Sequence, residues 1–300
     1  PSIFLINLPV CAVILGLLPR YMVEPGIERQ PSASFDVVGA ALFAAALALA
    51  FYGVIAAAEG GWGAPGAAGS LATGAALALA FVWTETRAPH PMVDLQLFRN
   101  VGFSAGNLAK VCAYLSFAAN NFLLPFYLYR ALDLTPAETG VRLSLLPIGM
   151  FIASLYFGPL SDKIGTCRLA PTGMALLVMA SVLLAVVDPT QGFLMVAAAM
   201  VLAGVGLGAF IAPNDSAILS VVPSGRLGVA NGVMGVSRSL GMLSGQTLAG
   251  GLLSARLAAN RGAFLASFHE TYAAVATVTA LGIAFAAVRS RGSAGARGPG

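Results

Sequence analysis

The chain has 300 residues, of which 58% are hydrophobic and 9% charged, and its mean hydropathy is +0.86. A soluble domain carries about a quarter charged residues, so 16 basic and 12 acidic side chains cannot cover a soluble fold of this length. We therefore expect an integral membrane protein whose apolar surface faces the lipid bilayer. The net charge of +4 does not indicate nucleic acid, because the basic residues are scattered singly.

Nine apolar runs of about 17 residues or more follow in chain order, and about 20 residues suffice for a helix to cross a bilayer. They lie at approximately 3–19, 37–58, 67–84, 101–128, 143–160, 169–187, 192–221, 227–255 and 268–288. The runs are continuously apolar and do not alternate with polar residues as barrel strands do. The predicted fold class is an all-α integral membrane protein with about nine transmembrane helices.

Basic residues lie mostly in alternate loops. One set of loops holds ten of them, the other set holds four, and Lys110 and Arg238 fall inside spans. Because cytoplasmic loops favour Lys and Arg, the first set, with the loop GPLSDKIGTCR at 158–168 and the C-terminus, is predicted to be cytoplasmic. Nine spans then place Pro1 outside, and since Pro1 is not methionine we expect upstream sequence to be missing.

Two basic residues and the acidic residue Asp215 lie well inside spans, where an ionisable group is a functional candidate. Lys110 lies about 10 Å into its span. It is either a functional residue within the membrane or a residue whose long side chain reaches the nearby cytoplasmic interface. Arg238 is deeper, and Asp215 on the preceding span is a plausible partner for it. That pair is either part of a transport site or a clamp between helices.

The 101–128 span carries an unusual number of amide and aromatic side chains, among them Asn107, Asn120, Asn121 and Tyr114. Asn121 with Pro125 is typical of a broken or kinked helix that lines a cavity. The alternative is polar contact between packed helices.

Other residues indicate packing rather than chemistry. Glycines supply small surfaces for close helix approach, at 204, 206, 208, 235, 241 and 245. The three cysteines are far apart and have no metal-binding spacing. No catalytic set of Ser, His and carboxylate residues is evident in the membrane spans, so an enzyme is not expected, and no metal or cofactor is predicted.

Several motifs together carry a family resemblance. The loop at 158–168 resembles the cytoplasmic signature G-x-L-[AS]-D-[RK]-x-G of the major facilitator superfamily, through Gly158, Leu160, Asp162, Lys163 and Gly165. Thr166 and Cys167 replace usual basic positions, which leaves Arg168. Further segments resemble the fourteen-span drug/proton antiporter branch of this superfamily, called EmrB/QacA-like, in both their sequence and their order. These segments are FLINLP, PMVDLQLFRN, FLLPFYLY and PNDSAILSVVPSGRLGVANG followed by SRSLG.

The resemblance implies a domain organisation. FLINLP opens the sixth span in that branch, so the chain would hold spans six to fourteen and lack the N-terminal spans of the same protein. Residues 1–84 would then hold the last span of the N-terminal half and two central linker spans, and 85–100 a cytoplasmic amphipathic linker. Residues 101–288 would form the C-terminal six-helix bundle, and 289–300 a disordered basic tail.

The resemblance also implies a function, which is proton-coupled efflux of small amphipathic molecules across the bacterial cytoplasmic membrane by alternating access. The proton gradient would supply the energy. The loop at 158–168, with Gly158, Asp162, Lys163, Gly165 and Arg168, would act as a cytoplasmic gate or only anchor a tight loop. The candidate interior residues are Lys110, Asn120, Asn121, Asp215 and Arg238. Export of one endogenous metabolite, or a transport-inactive membrane scaffold, are the alternatives.

Overall fold

The computed structural model describes residues 7–21, 36–60, 66–87 and 95–294, and for some residues within these ranges the backbone only. The described residues form ten α-helices: α1 Asn7–Tyr21, α2 Val37–Gly60, α3 Ala67–Glu85, α4 Val101–Arg130, α5 Pro136–Leu143, α6 Leu145–Ile164, α7 Thr166–Ala185, α8 Phe193–Leu219, α9 Leu227–Ala259 and α10 Phe264–Ala294. Short 3-10 helices lie at Leu95–Arg99, Pro189–Gln191 and Ser224–Arg226.

The all-helical fold class is confirmed for the described residues, and each of the nine predicted spans coincides with a helix. Six helical segments in this part of the chain are long and apolar enough to cross a membrane. They are Val37–Ala57, Ala67–Glu85, Val101–Arg130, Pro136–Ser161, Phe193–Leu219 and Phe264–Val288, and Leu169–Ala185 is a shorter apolar helix. The chain is therefore a multi-pass membrane protein.

The chain divides into two units, Pro1–Asp36, which contains α1, and Val37–Gly300, which contains all the other helices. Within the second unit α6 and α7 pack on α8, α9 and α10 pack on α4, and α10 also packs on α7. Helices α2 and α3 form a hairpin of their own. The apolar core lies among α4, α7, α8 and α10, where Tyr127, Phe210, Phe268 and Tyr272 are fully buried.

Several predicted glycines bring helix backbones together. A Cβ on Gly206 of α8 would lie 2.8 Å from the carbonyl oxygen of Gly173 on α7, and one on Gly241 of α9 would lie 2.6 Å from the carbonyl oxygen of Val111 on α4. Gly204, Gly208 and Gly245 make similar close approaches, as predicted. Gly235 does not, because a Cβ there meets no atom within 4 Å. Of the six predicted glycines, all except Gly235 are therefore packing positions.

Polar caps fix the helix boundaries. The Asn100 side chain accepts hydrogen bonds from the backbone N–H groups at the start of α4. Thr135 and Glu138 form a capping box at the start of α5, a short helix that the sequence did not predict.

At the C-terminal end of the chain, α10 continues to Ala294, so residues 289–294 of the predicted disordered tail are helical. Residues 295–300 of that tail lie outside the described residues. Ala and Arg are good helix formers, and they extend the preceding span.

The loop between α7 and α8 is held by an acidic cap. Asp188 Oδ1 accepts hydrogen bonds from the backbone N–H and the hydroxyl of Thr190, both at 2.8 Å. These bonds lower the pKa of Asp188, and the backbone N–H of Thr190 has a larger effect than its hydroxyl. On α10, His269 Nε2 lies 2.7 Å from the carbonyl oxygen of Val187 and ties the same loop to that helix.

Candidate functional site

One face of α4 carries a row of polar and aromatic side chains. Lys110, Tyr114, Phe117 and Asn121 follow one another at spacings of four, three and four residues, which places them on the same side of the helix. The Tyr114 and Phe117 rings lie 6.3 Å apart, edge to face. Because α4 is a largely buried helix of the second unit, this row is the candidate functional face.

Lys110 is paired inside the bundle. Its Nζ lies 2.8 Å from Oδ1 and 3.0 Å from Oδ2 of Asp215 on α8, and the Lys110 side chain is only 6% exposed. The Asp215 side chain is 30% exposed, so one side of the carboxylate remains open. The two charges compensate each other away from water. The interpretation that Lys110 only reaches to the interface is therefore wrong.

The prediction that Asp215 pairs with Arg238 is also wrong, because Asp215 binds Lys110. Arg238 lies on α9, which packs mainly against α4 and little against α8. Its side chain is exposed. Tyr114 interacts electrostatically with both Asp215 and Arg238, so the arginine stands near the candidate face without being the ion-pair partner.

Asn107 and Asn120 face other helices. The Asn107 side chain donates to the carbonyl oxygen of Phe103 and accepts a hydrogen bond from Ser237 of α9 at 2.9 Å. Asn120 is fully buried and accepts a hydrogen bond from the Tyr272 hydroxyl of α10 at 3.0 Å. For these two amides the helix-contact interpretation holds rather than the cavity-lining one. Asn120 is therefore a structural residue in this arrangement.

Asn121, in contrast, is exposed on the candidate face, and its amide donates to the carbonyl oxygen of Phe117 at 2.9 Å. Of the predicted broken or kinked helix near Asn121 and Pro125, the break is not observed, because α4 is continuous from Val101 to Arg130. A proline removes one backbone hydrogen bond, and the turns on both sides remain helical.

The predicted gating loop forms the turn between α6 and α7. Gly165 has φ +87° and ψ 145°, a conformation that favours glycine, and it is the single residue between the two helices. Lys163 is exposed and Gly158 is partly buried. The side chains of Asp162 and Arg168 lie outside the described residues, so the predicted hydrogen bonds of Asp162 remain a prediction.

The sequence reasoning missed further polar contacts of α4. Asn214, next to Asp215, donates to the carbonyl oxygen of Gly106 at 3.2 Å, and Ser116 lies 3.4 Å from Ser181 of α7. Polar side chains within apolar spans were the available signal for both. With the pairs above, α4 makes polar contacts with α7, α8, α9 and α10 and is the hub of the bundle.

The chemistry available at this face is that of a carboxylate held by an ammonium group, beside a phenol, an amide and an exposed guanidinium. A carboxylate in such a place can bind a proton or a cationic group when its ammonium partner moves away. Among residues 7–21, 36–60, 66–87 and 95–294, no cluster of three or more His, Cys, Asp or Glu side chains is placed to hold a metal ion.

Known proteins resemble the chain over most of its length. It is 30% identical over 294 residues to the riboflavin transporter RibZ of Clostridioides difficile. This match covers 94% of the chain and 62% of the relative. It is 31% identical to the multidrug resistance protein Stp of Mycobacterium tuberculosis, over 86% of the chain and 48% of the relative. It is 30% identical to the tetracenomycin C resistance and export protein of Streptomyces glaucescens, over 85% of the chain and 47% of the relative.

The chain thus spans between 47% and 62% of the length of these three relatives. Residues 106–298, which include α4 to α10 almost entirely, match the family model described as Major Facilitator Superfamily. This match covers more than half of the chain and coincides with the bundle that holds the Lys110 and Asp215 pair. The chain belongs to the Major Facilitator Superfamily.

Proposed function

We propose that the chain is the C-terminal part of a proton-coupled exporter of small amphipathic molecules, in the fourteen-span EmrB/QacA-like branch. The motif order described above and the relatives named for multidrug resistance and for export support this assignment. The protein would lie in the bacterial cytoplasmic membrane, with its C-terminus in the cytoplasm. It would be a transporter and not an enzyme.

The observation that carries the proposal is the Lys110 and Asp215 pair. An ion pair this far inside a membrane bundle is costly to build, and intramembrane charges usually mark ion or substrate pathways. Asp215 remains 30% exposed, so an ion or a substrate has access to the carboxylate. Protonation of Asp215 would release Lys110 and change the charge of the candidate face during each transport cycle.

The N-terminal half of the transporter would complete the substrate cavity. The exposed side of the candidate face, with Asn121 on α4 and Arg238 on α9, would meet that half near the bilayer midplane. The turn at Gly165, with Gly158, Asp162, Lys163 and Arg168, would bind the cytoplasmic ends together in one state of the cycle. Rocking of the two halves would then expose the cavity to each side in turn.

The test is efflux by the full-length protein in inverted membrane vesicles, with an amphipathic cationic dye as the probe. We expect transport to require the proton gradient. We also expect the Asp215→Asn substitution to abolish proton-dependent transport. Glu270→Gln is the matched control, because Glu270 forms an exposed ion pair with Arg256 at 3.2 Å. Transport that persists unchanged after a protonophore collapses the gradient contradicts the proposal.

A second candidate function is the transport of one particular metabolite, as the name of the riboflavin transporter relative suggests. That relative shares the longest matched segment of the three, 294 residues. A substrate screen with purified full-length protein separates the two candidates. Saturable transport of riboflavin alone, without transport of unrelated dyes, favours the metabolite transporter, whereas transport of several unrelated dyes favours the multidrug exporter.

A further inference from the structure

A cavity of about 970 Å³ lies between the α2–α3 hairpin and α9, and none of the residues in the row on α4 lines it. Its volume is at the upper end of the range of about 300–1,000 Å³ for small-molecule sites. It is lined by Phe43 and Leu47 of α2, Ala78 and Phe81 of α3, and Val233 and Val236 of α9. All three helices belong to the second unit.

The lining has almost no polar chemistry to offer a ligand. Ser237 of α9 lines the cavity, but its hydroxyl already donates to Asn107 on α4. An apolar cavity of this size does not hold ordered water, because water there would lack polar partners. In a membrane such a space is filled by hydrocarbon.

The length of the cavity fits one leaflet of the bilayer. Along α9 it extends from Gly228 to Leu240, and these 12 steps at about 1.5 Å each span about 18 Å. Half of a hydrocarbon core about 30 Å thick is about 15 Å. An acyl chain that starts at one membrane surface would therefore reach the far end of the cavity.

One end of the cavity is basic. Phe98 and Gly228 line that end, and the exposed residues Arg99 and Arg226 lie one and two positions away from them in the sequence. Arg87 follows α3 at the same end, with its guanidinium 4.2 Å from the centroid of the Trp83 ring. Of the acidic residues described at this end, Glu85 is buried, and Asp36, which precedes α2, is half-buried. The charge outside the cavity mouth thus complements an anionic headgroup.

We infer that this cavity is a binding site for an anionic phospholipid, with one acyl chain between α2, α3 and α9 and the headgroup at Arg99 and Arg226. The lipid joins the hairpin to the bundle, since α2 otherwise makes only a small contact with α9. The site is distinct from the face with Lys110 and Asp215, and its occupancy does not depend on which molecule is transported.

Two glycine substitutions on α9 provide a matched test. Gly232 lines the cavity and Gly235 does not, and a Cβ at either position meets no atom within 4 Å. We expect Gly232→Phe to fill the cavity and Gly235→Phe to leave it open, with the same change in helix propensity in both variants. The full-length protein is purified from vesicles of phosphatidylglycerol and phosphatidylethanolamine, and bound lipid is measured by native mass spectrometry.

The expected result is that wild type and Gly235→Phe retain phosphatidylglycerol, whereas Gly232→Phe loses roughly tenfold in affinity. Arg99→Gln with Arg226→Gln is expected to remove the preference for phosphatidylglycerol over phosphatidylethanolamine. Equal retention by the two phenylalanine variants overturns the site. Equal binding of both lipids by the wild type overturns the role of the arginines.

A second measurement uses the wild type alone and does not depend on the folding of any variant. Phosphatidylglycerol with a photoreactive group on its acyl chain is cross-linked to the protein, and the labelled peptides are sequenced. We expect labels on Ala78, Val233 and Val236. Labels that are no more frequent there than on the exposed α6 residues Ile152 and Leu155 contradict the inference.

Discussion

The Asp215→Asn substitution is expected to destabilise the bundle by leaving Lys110 buried without its partner. Removing one member of a buried ion pair costs about 3–5 kcal/mol, and the lower end, about 3 kcal/mol, applies here because Asp215 is 30% exposed. Lys110→Met should cost less, since water can reach the carboxylate that remains. The double substitution Lys110→Met with Asp215→Asn should lie within about 1 kcal/mol of wild type, because no charge is left buried.

The assay is unfolding of the full-length protein in lipid nanodiscs, with the four proteins of the cycle compared under one condition. A coupling free energy of at least about 2 kcal/mol between the two positions is expected. Glu270→Gln, which breaks the exposed pair with Arg256, should cost about 0–1 kcal/mol. The reasoning is refuted if Asp215→Asn is no more destabilising than Glu270→Gln, or if the double variant is as unstable as the worse single variant.

Three further predictions concern packing, a buried hydrogen bond and pH. Gly206→Val should prevent the close approach of α7 and α8 and lower the yield of folded protein, whereas Gly235→Val should be tolerated; equal yields in a size-exclusion assay would contradict this. Tyr272→Phe leaves Asn120 Oδ1 unpaired and should cost about 1–3 kcal/mol in thermal unfolding, and an unchanged Tm would contradict it. Because its hydrogen bonds lower the pKa of Asp188, the cap should be complete above the ordinary aspartate pKa of about 3.9 and be lost as pH falls through the lowered value. Amide exchange in that loop should accelerate over this acidic range, and Asp188→Ala should remove the pH dependence.

The positions of the helices could be predicted from hydropathy because each span must bury its backbone hydrogen bonds within a single helix. The partner of Lys110 could not be predicted from hydropathy, because Lys110 and Asp215 are 105 residues apart and their contact depends on how α4 packs against α8. The sequence placed Asp215 and Arg238 on consecutive spans, but the two helices that carry them, α8 and α9, make only a small contact. Helix α9 instead packs on α4.

The packing glycines show what periodicity can add. Gly241 and Gly245 lie four residues apart and share the face of α9 that meets α4, whereas Gly235 lies six residues before Gly241 and faces away. The spacing alone could have separated them. The different roles of the neighbours Asn120 and Asn121 follow from the same rule, because adjacent residues point about 100° apart on a helix.

The most direct test of the account is whether substrate movement drives proton movement. Full-length protein is reconstituted in proteoliposomes that contain a pH-sensitive dye, and an outward gradient of transported substrate is imposed without an initial pH gradient. The account predicts proton flow opposite to the substrate in the wild type and in Glu270→Gln, and no flow in Asp215→Asn. Substrate efflux without any proton flow in the wild type, or undiminished flow in Asp215→Asn, would contradict it.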